Sequence, residues 1–172
     1  MIKSVTEGVY SDFILVNRHG IVIYTRENDD LFGKKVISAL IDTPLDRCFK
    51  NSGQPLHFED ITAFPTDSGQ YNLFISGDVH REGTSHGIFI LQVNAEKIGG
   101  LLESGARIID FGGISRITDI REDMLVPYRY FSLINMEKLK SGMNSGFVGE
   151  KVYYTVRPFK YKNLEWLIVE VK

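Results

Sequence analysis

A set of side chains spread over the first half of the sequence could together grip a small organic molecule. They are Tyr24, Phe58, Asp60, Tyr71, Phe74 and Ser76, with Arg26 and Asp78 at the rim. Aromatic bodies supply apolar contact area, and one or two polar tips orient a guest. Each also has a plainer use: the aromatics as core packing, and Arg26, Asp60 and Asp78 as solvated surface or turn residues, since charged side chains are mostly exposed.

Bond-making chemistry finds less support. His19, His57, His80 and His86 fall in turns or at strand ends, and no pair has the i, i+4 helical spacing of a zinc protease. The sequence contains no G-x-S-x-G elbow for a serine nucleophile, and no G-x-x-x-x-G-K-[ST] or G-x-G-x-x-G run to cradle phosphates. Glu59-Asp60 and Glu122-Asp123 are sequence neighbours, so on a strand they point to opposite faces and do not form an acid/base pair by default. A lone cysteine, Cys48, rules out an internal disulfide and lacks the Cys/His company of a zinc site. No enzyme activity, metal or cofactor is expected. A formal charge of -2, with Lys and Arg scattered along the chain, leaves no basic stripe for nucleic acid.

The elements that must position the candidate wall follow from hydrophobic patterning. Hydrophobic residues at 43% and charged residues at 24% describe a folded chain, and 172 residues suffice for one ordinary domain or two small lobes. Asp12 to Asn17 (D-F-I-L-V-N) and Ile21 to Thr25 (I-V-I-Y-T) predict a hairpin, turned at Arg18-His19-Gly20. Arg26 to Asp42 reads as a loop with a short helix or two, and Leu45 to Asn51 as a helix stopped by Gly53. Strands are expected at His57 to Ala63, Tyr71 to Val79 and Gly87 to Asn94, separated by the turn clusters Pro65 to Gly69 and Arg81 to His86.

Two strands, a helical crossing and three strands joined by short loops predict an α+β fold: an antiparallel five-stranded sheet with helical cover, the PAS-like plan. The pocket then lies over the sheet, beneath the segment from Arg26 to Ser52, with alternate strand positions facing it.

Ala95 to Glu103 reads as a short connecting helix weakened by Gly99 and Gly100. The order then repeats on a smaller scale: strands near Ala106 to Asp110 and Ile114 to Asp119, and a helix near Met136 to Ser141. A terminal hairpin of Glu150 to Pro158 and Leu164 to Val171, joined through Lys160 to Asn163, closes the series. The expected lobes are residues 1–97 and a reduced PAS-like lobe at residues 98–172. No stretch approaches the ~20 apolar residues of a membrane span and no signal pattern opens the chain, so this stretch itself reads as soluble.

Several segments resemble, in order, the double Cache family of extracytoplasmic sensors found in bacterial chemoreceptors, histidine kinases, diguanylate cyclases and receptor phosphatases. Tyr10 to Thr25 (Y-S-D-F-I-L-V-N-R-H-G-I-V-I-Y-T) is similar to the family's strand-turn-strand, Y-x-D-x-x-L-I-D followed by G-x-I-V-Y. Asp30 to Val36 (D-L-F-G-K-K-V) looks like its D-F-G-T-N-L segment, with a Leu inserted after Asp30. Phe58 to Phe64, Leu73 to Val79 and Gly87 to Val93 resemble the third to fifth strands of the membrane-distal lobe. Tyr154 to Val171 looks like the closing pattern of a strand ending near Pro and a Leu-x-Trp strand. Two features depart from the family: few residues precede the first strand, where members carry a long helix leaving the membrane, and the second lobe has little room for a helical layer between Thr118 and Lys151.

The resemblance implies an extracytoplasmic, periplasmic or extracellular, small-molecule sensor. It would be attached to a membrane span and would relay ligand binding to a cytoplasmic output, with a homodimer admissible. Family receptors for free amino acids usually hold the ammonium with an Asp on the fifth distal strand, where this chain has Gln92, and the matching Tyr and Arg run is missing between Arg26 and Asn51. The resemblance therefore implies a carboxylate or another small metabolite before an amino acid, or no direct ligand. A non-ligand-binding interaction or dimerisation module of the same fold, and a cytosolic PAS, GAF or profilin-like domain, remain the alternatives.

Overall fold

The computed structural model describes residues 10–64, 70–99, 106–109, 145–148 and 152–171. By contact density the chain divides into two compact units, Met1–Lys97 and Ile98–Lys172. The first is built on strands β1 (Tyr10–Asn17), β2 (Val22–Thr25), β3 (His57–Ala63), β4 (Tyr71–Arg81) and β5 (Thr84–Asn94), in the spatial order β2-β1-β5-β4-β3, every pair antiparallel. This is the expected five-stranded sheet.

At the first hairpin the Asn17 side chain accepts from the backbone N–H groups of His19 (2.9 Å) and Ile21 (3.0 Å). Gly20 has φ +78°, where a side chain would also meet the Phe49 ring at 3.3 Å. The expected loop from Arg81 to His86 contracts to Glu82-Gly83, with φ +53° and +78°. Two consecutive left-handed residues match the twist of a hairpin, so the ladder runs to the turn and Thr84 to His86 join β5.

Register decides which residues face the cover. Asp12 pairs with Gln92, Ile14 with Ile90 and Val16 with Ile88; Phe74 pairs with Gln92 and Ser76 with Ile90; His57 pairs with Ser76 and Glu59 with Phe74. Cross-strand partners share a face, so these residues, with Asp78 opposite Ile88, form the front face. Phe13, Leu15, Phe89, Leu91, Leu73 and Ile75 form the back.

Two irregularities change sides. Between Leu15 and Val16 the partner jumps from Tyr24 to Val22, so Ile23 is extra: Val22 lies in front and Tyr24 behind. Between Glu59 and Thr62 three β3 steps oppose two on β4, so Asp60 and Ile61 together face Leu73.

The segment from Arg26 to Gly53 covers the front. It contains a 3-10 turn (Asp29–Leu31) and the helices α1 (Val36–Ala39) and α2 (Pro44–Lys50). α2 begins as its sequence dictates. Thr43 is the N-cap and accepts from Asp46 N, Pro44 occupies the first turn where its missing N–H costs nothing, and the Asn51 side chain closes the end by donating to Arg47 O at 2.9 Å. Leu31, Val36, Leu40, Leu45 and Cys48 from the cover join Ile14, Val16, Val22, Phe74, Ile88 and Ile90 in one buried cluster, each large apolar side chain contributing about 1.5–3 kcal/mol. The free edge of β2 is closed by the cover itself, through Val22 N to Lys34 O and Gly33 N to Val22 O, both 2.9 Å.

A short helix, α3 (Ala95–Gly99), follows β5. In the second unit the described strands β6 (Ala106–Ile109), β7 (Ser145–Val148), β8 (Val152–Tyr161) and β9 (Leu164–Val171) form an antiparallel sheet in the order β6-β9-β8-β7. β8 continues past Pro158 because its described partner β7 stops opposite Thr155, so the ring nitrogen interrupts no described ladder on that side. β7 was not anticipated, and S-G-F-V carries little strand signal. The strand expected at Ile114 to Asp119, the helix at Met136 to Ser141 and the turn at Pro65 to Gly69 lie outside the described residues. No helix among the described residues is long and apolar enough to cross a membrane.

Candidate functional site

The front face is the site the fold sets apart, and its cover is tied to the sheet by carboxylates. At the start of the cover Asp12, buried on β1, has both oxygens occupied. Oδ1 accepts from the backbone N–H groups of Phe13 (2.7 Å), Arg26 (2.9 Å) and Glu27 (3.2 Å), and Oδ2 from Thr25 Oγ1 (2.9 Å) and Asn28 Nδ2 (2.7 Å). Thr25 Oγ1 in turn accepts from Asn28 N at 3.0 Å. This one carboxylate replaces ladder partners that the chain loses on leaving β2.

At the far end Asp78 on β4 accepts a single backbone donor, Gly53 N, 3.0 Å from each oxygen, with His80 Nε2 3.3 Å away. Between the two ends Arg47 of α2 pairs through Nε with Glu59 Oε2 (2.5 Å) and donates to Asp42 O (2.7 Å), while Glu59 Oε1 lies 2.6 Å from His57 Nε2.

Polar groups also lie deeper. Asp46 is fully buried; its Oδ2 accepts from Lys50 Nζ (2.7 Å) and Asp42 N (3.0 Å). Burial alone would raise its pKa, but the Lys50 hydrogen bond, the Asp42 amide and the charges of Lys50 and Arg47 outweigh burial and hold the carboxyl below its ordinary pKa range. The Asp46 bond correspondingly raises Lys50. Burial pushes the Cys48 thiol up to about 12 against a hydrogen bond from Ser76, so it is a packing group and not a nucleophile. On the sheet, Gln92 Nε2 and Asn72 Nδ2 both donate to Phe64 O, at 3.1 and 2.8 Å. Among the described buried side chains, Asp46 Oδ1, His57 Nδ1 and Gln92 Oε1 have no hydrogen-bond partner. No three His, Cys, Asp or Glu side chains among the described residues cluster to hold a metal ion.

Of the wall read from sequence, the structure brings Phe74, Ser76 and Asp78 together on the front face, the first two fully buried. Tyr24, Phe58 and Tyr71 are corrections. The β2 bulge turns Tyr24 to the back, where its ring meets Phe13 at 6.1 Å; Phe58 pairs with Ile75; and Tyr71, half exposed, pairs with Ala63 and has the opposite parity to Phe74. Asp60 sits in the β3 bulge and accepts from Ile61 N at 2.7 Å. Arg26 contributes its backbone N–H to Asp12, but its guanidinium points to solvent and pairs with Glu27 at 2.8 Å.

Sequence reasoning missed the roles of Asp12, Asp46, His57 and Glu59. Asp12 was findable: it shares parity with the core residues Ile14 and Val16, a charge in phase with an apolar face. Thr43-x-x-Asp46 before an apolar run is a helix-start signature. His57 and Glu59 were hidden by a register that only pairing reveals.

No family model matches the chain, and no curated protein matches it. Solved structures do. A domain assigned to a sensory box/GGDEF family protein of Vibrio parahaemolyticus aligns with TM-score 0.66 at 12% identity, over 95% of this chain and 71% of that one. The ligand-binding domain of the Pseudomonas aeruginosa amino acid chemoreceptor PctC, solved with GABA, aligns with TM-score 0.65 at 14% identity, over 99% and 77%. That of the Pseudomonas fluorescens chemoreceptor CtaA with L-serine gives 0.64 at 14%, over 94% and 72%. At such identities the likeness is one of fold: this chain has the α+β, PAS-like architecture of those domains.

Proposed function

We propose that this chain is the ligand-sensing domain of an extracytoplasmic receptor. The membrane-distal lobe, residues 1–97, binds a small molecule between the front face and its cover. The membrane-proximal lobe, residues 98–172, a reduced PAS-like unit, relays the event through its C-terminal strand to a membrane segment and a cytoplasmic output. It is not an enzyme. The observation that carries this reading is the cover. A segment of helices and turns is held over one sheet face by a saturated carboxylate at its start and a lightly held one at its end, which is how a guest could be admitted and retained. A ligand shifts such an equilibrium only by binding one arrangement better than the other. The fold shared with sensor domains supports the same reading.

A free α-amino acid is disfavoured. Gln92 is a neutral amide, and its cross-strand neighbour Asp12 has both oxygens occupied, so neither supplies an open carboxylate for an ammonium group. A carboxylate guest meets a different obstacle: the two cations of α2, Arg47 and Lys50, are already paired with Glu59 and Asp46. Thermal denaturation against a broad metabolite library tests the binding half. At 100 times its Kd a guest adds about 2.7 kcal/mol and a rise of several degrees in Tm; a library in which every class leaves Tm unmoved removes it.

One observation favours an interaction or dimerisation module instead. Ile14, Val22, Leu45, Cys48, Phe74 and Ile90 are all fully buried and pack as one cluster on the front face. Binding that appears only with a protein partner or a second copy would establish that role.

A further inference from the structure

Of the three buried side-chain atoms without a partner among the described residues, two are acceptors. Asp46 Oδ1 is a carboxylate oxygen. Gln92 Oε1 is an acceptor by necessity, because the Gln92 amide must turn its nitrogen to Phe64 O, itself an acceptor. The third, His57 Nδ1, belongs to a ring whose Nε2 faces Glu59 Oε1 at 2.6 Å. Two of these residues lie on the front face, and the third is on the cover helix α2.

Buried acceptors are normally matched by donors, and an unmatched one is a cost that the fold carries until a donor arrives. The charges beside them are already balanced, Asp46 by Lys50 and Glu59 by Arg47. What is missing is therefore hydrogen-bond donors and not charge.

Resting on the sensor reading above, we infer that the guest of the first lobe is a small uncharged molecule rich in hydroxyl donors, of the polyol or monosaccharide class. A carboxylate would bring acceptors to acceptors. An α-amino acid would bring a carboxylate that needs donors, whereas Asp46 Oδ1 and Gln92 Oε1 only accept. Polyols carry several donors at short spacing without a charge to desolvate.

Isothermal titration of the purified chain with polyols and monosaccharides, dicarboxylates and α-amino acids, alongside the variant Gln92→Met, tests the inference. At least one polyol or sugar is expected to bind. Gln92→Met is expected to weaken it about fivefold to tenfold at little cost to the melting temperature of the free chain, because the lost bond to Phe64 O leaves that carbonyl with Asn72 Nδ2 and an unmatched acceptor goes with it; a large fall in melting temperature with unchanged affinity would mark a purely structural role. If that variant does not fold, His57→Phe removes a second of the three atoms. Binding of carboxylates or amino acids alone overturns the ligand class and leaves the sensor reading standing, as does polyol binding that ignores both variants. No binding by any class, with fixed waters on all three atoms in a high-resolution crystal structure, overturns both.

Discussion

The cover over the first sheet is held at its two ends by the same chemical group in two different settings. Asp12 lies inside the protein and gathers five donors onto its two oxygens. Asp78 lies at the rim, where one backbone N–H, that of Gly53, divides itself between both oxygens. Removing the first carboxylate takes the shared acceptor from five donors at once, whereas removing the second frees one N–H in an exposed turn. With five bonds on Asp12 at the Arg26 to Asn28 end, which would act as a hinge, and one backbone bond at Gly53, which would act as a latch, local opening is expected to cost least at the latch.

The largest effect should come from Asp12→Ala, which loses about 3–5 kcal/mol as the stranded backbone and side-chain donors go unsatisfied, read as a fall in the urea midpoint at constant slope. A loss below about 1 kcal/mol would end the hinge side of the contrast. Thr25→Val, which deletes the hydroxyl that joins Asp12 to Asn28 N, should cost about 1–2 kcal/mol by the same measurement.

Asp78→Ala should cost about 1 kcal/mol or less globally and act mainly on local opening. Cys48 reports it, because a buried thiol raised to about 12 is protonated and shielded at pH 8. Its alkylation by iodoacetamide should be very slow in the parent chain and several-fold faster in the Asp78→Ala chain. Equal rates would mean that the latch does not govern access beneath α2.

The smallest effect concerns acid. Asp46 has its folded pKa below the unfolded value, so its stabilising contribution is present above the ordinary carboxylate range and is lost as pH falls through the folded value. As pH falls below the ordinary carboxylate value of about 4, the parent chain should lose more stability than Asp46→Asn, as seen in acid titrations followed by circular dichroism. Parallel curves would show that the Lys50 and Asp42 bonds do not bias the ionised form.

Element types were legible because each rests on local pattern. The β-branched runs gave β1, β3, β4 and β5, and Thr43-Pro44 with the later Asn51 and Gly53 bounded α2. The antiparallel order followed from short connections. The candidate wall was legible only in part. Phe74, Ser76 and Asp78 lie on an unbulged stretch where alternation holds, whereas Tyr24 and Asp60 lie at irregularities where one extra residue reverses the count. Phe58 was misplaced because parity says which residues share a face, not which face is covered, whereas Tyr71, three residues before Phe74 on the same strand, was at odds with the alternation itself. Thr84 to His86 looked like loop because their polar character hides a ladder that needs only two turn residues. The close approach at Gly87, where a Cβ would come within 2.0 Å of Val16 O, likewise exists only once β1 and β5 are side by side.

The sequence by itself determined the local preferences of this protein: where strands start and stop, where a helix is capped, which turns need glycine, and that the chain could cover one sheet face with a helical segment. Tertiary structure alone decided which side of the sheet each strand residue serves and which acceptors end up without donors. The physical reason is that a strand repeats every two residues, so a single bulge sends a side chain to the opposite face, and hydrogen-bond satisfaction depends on neighbours contributed by segments far apart in the chain.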